Sequence, residues 1–126
     1  MDTLMNVVQW VVQVLLAVVL VMAGGLKVMK GKAKLLEDPR MGWVGDFADS
    51  TIRTIGALEV AAAAGLIFPW WLDIAPVLTP LAAVGVVVIQ TGAMFIHRRR
   101  GEMQMLAMNA VIAAMAAFVV GRFGDL

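Results

Sequence analysis

A single carboxylate, Glu59, sits inside the run Arg53-Thr54-Ile55-Gly56-Ala57-Leu58-Glu59-Val60-Ala61-Ala62-Ala63-Ala64-Gly65-Leu66, which is otherwise suited only to hydrocarbon. An acidic residue near the centre of a membrane helix costs roughly 2.5–3.5 kcal/mol on insertion scales, so it faces protein or a wet cavity and has a partner. Lys27 and Arg53 are the candidate counter-charges, and Gln90 and Asn109 are the candidate hydrogen-bond partners. Such a group can hold a ligand or a proton, or it can be a buried ion pair that sets helix register. The same two readings apply to Gln90 and Asn109, whose amides are also ordinary interhelical glue. One histidine and no cysteine leave no set of soft or imidazole ligands for a metal, no disulfide and no thiol chemistry. No nucleophile and base pair stands out, so no catalytic residue is assigned.

The elements that must position these residues are membrane spans. The sequence is 62% hydrophobic and 15% charged, beyond the apolar share of an ordinary soluble domain. We expect an all-α, integral membrane four-helix transmembrane bundle in a single domain, residues 1–126, with spans at about 7–29, 52–68, 74–96 and 103–120. The chain opens with an acidic residue and no Lys or Arg, unlike a secretory signal, so the first run is read as a span. Residues seven apart share a helix face. That rule puts Gln9, Gln13, Gly24 and Lys27 on one stripe, and Thr79, Ala83, Val86, Gln90 and His97 on another. In the second span Ala57, Ala61 and Gly65 form a ridge for close packing, as Asn109, Ala113, Ala117 and Gly121 do in the fourth. Asp49 or Ser50 is the expected N-cap of the second helix, Pro69 its end, and Pro80 the cause of a bend in the third.

Charge fixes the orientation. Lys27, Lys30, Lys32, Lys34, Arg40 and Arg53 flank the first connection and Arg98, Arg99 and Arg100 the third, while Arg122 lies at the opposite end. Basic residues mark the cytoplasmic side, so both termini are expected to be extracytoplasmic. Glu59, Gln90 and Asn109 then lie in one layer, each roughly 9–10 Å in from the cytoplasmic boundary. His97 and the three arginines are read as solvated interfacial residues, the arginines touching anionic headgroups of the lipid bilayer. A net charge of +1 gives nucleic acid no purchase.

Several fragments in fixed order resemble the DoxX-like family of small bacterial four-helix membrane proteins. They are Ala23-Gly24-x-x-Lys27, Gly42-Trp43, Arg53-x-x-Gly56-x-x-Glu59, Pro76-x-x-Thr79-Pro80-Leu81 and His97-x-Arg99-Arg100-Gly101-Glu102. The resemblance implies a multi-pass protein of the bacterial inner membrane, associated with quinone-linked redox complexes, and a quinone as a cofactor. Three functions follow as expectations. The first is a non-enzymatic accessory or assembly subunit of a membrane complex, with other subunits or a second copy of the chain as partners. The second is a binding protein or small carrier for a hydrophobic ligand that uses Glu59, and the third a quinone-linked oxidoreductase component.

Overall fold

The computed structural model describes residues 2–124, so the chain ends, Met1, Asp125 and Leu126, lie outside it. Four helices, α1 (Asp2–Leu35), α2 (Asp49–Leu72), α3 (Leu78–Arg99) and α4 (Met103–Gly124), are joined by a 3-10 segment at Pro39–Asp46 and two tight turns. All four are long and apolar enough to cross a membrane. Each ends beyond the span expected for it, because helices continue through the headgroup region after hydrocarbon ends, but α3 begins at Leu78, later than the expected start near 74. The long apolar side chains on the outer faces, Leu15, Leu58, Leu81 and Val111 among them, are exposed, as a lipid-facing surface requires.

The helices pack in chain order. Contact is heaviest between α1 and α2, strong between α3 and α4, and lighter between α2 and α3 and between α1 and α4. The core toward the terminal end holds Leu16, Leu20, Leu66, Ala83, Val86, Ala116 and Val119. A smaller cluster of Leu35, Trp43, Val44 and Ile52 lies under the 3-10 segment. Asp38 begins that segment by accepting from the Arg40 backbone N–H at 2.9 Å. The Arg40 guanidinium bonds to the same carboxyl, and both contacts hold its pKa below the usual carboxylate value.

The stripes read from seven-residue spacing on α1 and α3 are buried as a set: Gln9, Gln13, Gly24 and Lys27, then Thr79, Ala83, Val86, Gln90 and His97. The ridge expected on α2 is not. Its buried face is Ile52, Gly56, Glu59, Ala63 and Leu66, while Ala57 and Ala61 face outward. Small residues occur on both faces of α2, so their spacing alone did not say which one meets a neighbour. On α4 Ala117 and Gly121 are likewise exposed, and the buried residues are Ala116 and Val119.

Three expected helix signals are corrected. Pro69 does not end α2, which continues to Leu72. A proline there deprives the carbonyl four residues back, Gly65 O, of its helical donor. Thr79 Oγ1 of α3 donates to that carbonyl at 2.8 Å, so the helix can pass through the proline. Pro80 lies in the first turn of α3, where no N–H is needed, and Pro76 O accepts from Thr79 N at 3.1 Å, so the basis for a bend disappears. The N-cap of α2 is Ala48, without a side-chain cap bond. Asp49 is used elsewhere.

Asp49 and Arg53 splice α2 onto a break in α1. Gly31 has φ 70° and ψ −179°, a conformation that favours glycine and interrupts the helix. In an unbroken helix Lys32 N would donate to Val28 O. Here Lys32 N donates to Asp49 Oδ1 at 2.8 Å, Val28 O accepts from Arg53 Nη1 at 2.5 Å, and Arg53 Nε donates to Asp49 Oδ2 at 2.9 Å. Any Cβ at Gly31 would strike the Arg53 guanidinium, so glycine is required for space as well as for φ.

Candidate functional site

The α1–α2 crossing is made by two glycines. A Cβ placed on Gly24 would lie 2.5 Å from Gly56 O and 2.9 Å from Glu59 Cβ; one on Gly56 would lie 2.5 Å from Gly24 O and 2.7 Å from Lys27 Cβ. Real Cβ atoms do not approach so closely, so the backbones meet here only because both residues are glycine. Three residues on from each glycine stand Lys27 and Glu59, one turn along the same face. The close crossing brings them together: Lys27 Nζ to Glu59 Oε1 is 2.8 Å. Lys27 is 8% exposed and Glu59 4%. The ammonium also lies 5.9 Å from the centroid of the Trp43 ring, within cation–π range.

Arg53 is not the partner of Glu59. It is exposed and committed to Asp49 and Val28 O, which corrects its expected role as a counter-charge. Gln90 and Asn109 pair with each other across α3 and α4, Asn109 Nδ2 donating to Gln90 Oε1 at 2.6 Å. The expected layer therefore divides into an ion pair on α1–α2 and an amide pair on α3–α4.

Between the two pairs lies a cavity of about 400 Å³ at the end of the bundle that carries the basic loops. Lys27, Glu59, Gln90 and Asn109 all line it, with apolar walls from Leu20, Ile55, Ile89 and Ile112. Leu26, Val88 and Met108 also line it and are exposed on the outer surface, so the cavity reaches the face that meets lipid.

The 3-10 segment closes one side with Met41, Trp43 and Phe47. His97 is not a solvated interfacial residue: it is 3% exposed, lines the cavity and packs edge-on against Trp43 at 5.8 Å. Its Nδ1 lies 2.9 Å from Glu102 Oε1. Arg100 ties these pieces together, bonding to Glu102 Oε1 at 3.2 Å and to Asp46 Oδ2 at 3.0 Å. Arg98 is exposed, and Arg99 stacks over Phe95 at 5.6 Å. The buried Trp43 is a site residue that sequence reasoning did not single out. Its position within a polar connection hid its burial, and Gly42-Trp43 among the resemblance fragments was the one sign of a fixed place.

Two polar atoms of the cavity-lining residues, Trp43 Nε1 and Asn109 Oδ1, are buried without a hydrogen-bond partner among the described residues. An unsatisfied buried donor or acceptor costs about 1–3 kcal/mol. Among the described residues no three His, Cys, Asp or Glu side chains converge as metal ligands would. The arrangement is an apolar chamber with two fully buried polar atoms unmet, one donor and one acceptor, and an ion pair in its wall.

Fold and site together define a four-helix membrane protein of the multi-pass type, with polar pairs arranged around a chamber. The chain belongs to the DoxX-like family, whose model matches residues 11–119. That match takes in α2 and α3 whole and most of α1 and α4. Neither a curated protein nor a solved structure matches the chain.

Proposed function

We infer that the protein binds a small hydrophobic molecule with a hydrogen-bonding head, in the bacterial inner membrane, as a non-enzymatic component of a membrane complex. The observation that carries this reading is the chamber of about 400 Å³, with Trp43 Nε1 and Asn109 Oδ1 unmet beside it. Ligand sites are typically apolar clefts of ~300–1,000 Å³ with a few placed polar groups, and this chamber has that character. Binding is favoured over turnover because the ionisable groups lining the chamber are already engaged, Lys27 with Glu59 and His97 with Glu102. A quinone, the cofactor that family resemblance implies, would find a donor for one carbonyl oxygen at Trp43 Nε1, while Asn109 Oδ1 needs a hydroxyl, which its reduced form carries. When bound it would supply two-electron redox chemistry.

The test is native mass spectrometry after purification in mild detergent. The wild type carries a small hydrophobic adduct, and Ala93→Trp, which fills the chamber from α3, loses it while keeping the folded mass and helicity. Wild-type protein that is bare in every gentle preparation, and takes up no added hydrophobic probe, rules out the reading.

A further inference from the structure

We propose that the Lys27–Glu59 pair is a charge filter: it restricts the chamber to uncharged head groups, and removing either partner turns the chamber into a site for an ionised ligand of the missing sign. The inference rests on the binding function inferred above and names the chemical class of the ligand and the residues that select it.

The ionisable side chains in the lining are Lys27, Glu59 and His97. Lys27 and Glu59 cancel each other at 2.8 Å, and both are more than nine-tenths buried. His97 is held by Glu102, which Arg100 also contacts. The fully buried polar atoms without a partner, Trp43 Nε1 and Asn109 Oδ1, are one neutral donor and one neutral acceptor, and Gln90 Nε2, a further neutral donor of the lining, makes no hydrogen bond among the described residues. A hydroxyl or carbonyl head can meet them without bringing charge into the apolar chamber. A carboxylate or ammonium head brings an unpaired ion, which is strongly disfavoured away from water.

The pair is also placed to be completed from outside. Both residues line the chamber, and the second oxygen of Glu59, Oε2, makes no hydrogen bond among the described residues. In Glu59→Gln the Lys27 ammonium keeps the Trp43 ring and an amide acceptor but lacks an anion, so a ligand carboxylate supplies the missing charge. In Lys27→Gln the Glu59 carboxylate is the orphan, and a ligand ammonium replaces it. The double variant returns the lining to neutrality.

The experiment uses full-length protein in vesicles of zwitterionic lipid and diazirine-bearing analogues of dodecanol, dodecanoate and dodecylammonium. The pH is one at which the acid is ionised and the amine protonated. Cross-linked residues are mapped by mass spectrometry. Wild type labels at chamber residues with the alcohol at least about tenfold more efficiently than with either ion. E59Q reverses in favour of dodecanoate, K27Q in favour of dodecylammonium, and the K27Q/E59Q double variant returns to the alcohol. If the chamber labels equally with all three probes in wild type, or keeps its preference in both single variants, the filter is wrong while ligand binding stands. If no probe labels the chamber saturably in any of the four proteins, the binding function itself fails. Should one single variant not fold, the other decides the matter by whether its preference reverses from the wild-type ranking.

Discussion

The two ends of the bundle both bury polar side chains, and they use them in opposite ways. At the terminal end Gln9 donates to Gln13 at 2.9 Å, and Gln13 donates to Leu66 O at 2.6 Å. Arg122 bonds to Gln9 and Asn6, and Thr79 meets the carbonyl that Pro69 leaves free. None of these side chains lines the chamber, and none carries a buried unmatched atom. At the end with the basic loops, Lys27, Glu59, Gln90, Asn109, Trp43 and His97 surround empty volume, and two of them leave an atom unmet. Polarity within a membrane helix is therefore not by itself a mark of function. The Gln9–Gln13–Arg122 network fastens helices, whereas the Lys27–Glu59 layer holds open a place.

The sharpest way to break that contrast is to halve the ion pair. Lys27→Met leaves a buried carboxylate alone, and should destabilise the protein by about 3–5 kcal/mol in reversible denaturation, more than any single change at the terminal end. If it is tolerated as easily as Gln13→Leu, the layer is not the high-stakes half. Next comes the glycine crossing. Gly56→Val should cost ~1–3 kcal/mol or abolish folding, because its Cβ meets backbone and cannot be accommodated by a rotamer change. Gly25→Ala, with nothing within 4 Å of the new methyl, should be neutral or stabilising by a few tenths to about 1 kcal/mol.

At the terminal end the effects are smaller. Thr79→Val removes the hydrogen bond to Gly65 O and should cost about 1 kcal/mol, with faster amide exchange near Pro69 as the local readout. A loss of ligand capture on Thr79→Val, with the fold intact, would blur the distinction between the two ends. The smallest expected effect on stability is that of reporters fused at the chain ends and within residues 36–38. A fusion after Leu126 should be active only outside the cytoplasm and one in the first connection only inside it; the reverse pattern would put the chamber at the opposite membrane face.

Periodicity read the faces well where strongly polar side chains marked one of them. On α3 the spacing from Thr79 to His97 gave the complete buried set, because Gln90 and His97 lie on that stripe. On α2 it failed, because Ala and Gly occur all round and the choice among them was made by where Gly24 of α1 could approach. The site was legible in part. Glu59 had to be buried with a partner, and Lys27 was one of two candidates. Arg53 was excluded only by the break at Gly31, which draws it to Asp49 and Val28 O.

Composition and spacing were enough for four membrane-spanning helices, the polar stripes of α1 and α3, and the requirement that Glu59 find a counter-charge, since each follows from the cost of polar groups in hydrocarbon. Other features depend on groups distant in the chain, whose relative placement no local pattern encodes. Thr79 rescues α2 at Pro69, Asp49 and Arg53 bridge the broken turn of α1, and Trp43 folds back over His97. The chamber is of the same kind. It lies among all four helices at the level of Glu59 and Asn109, and a gap between helices is a property of their packing, not of any one helix.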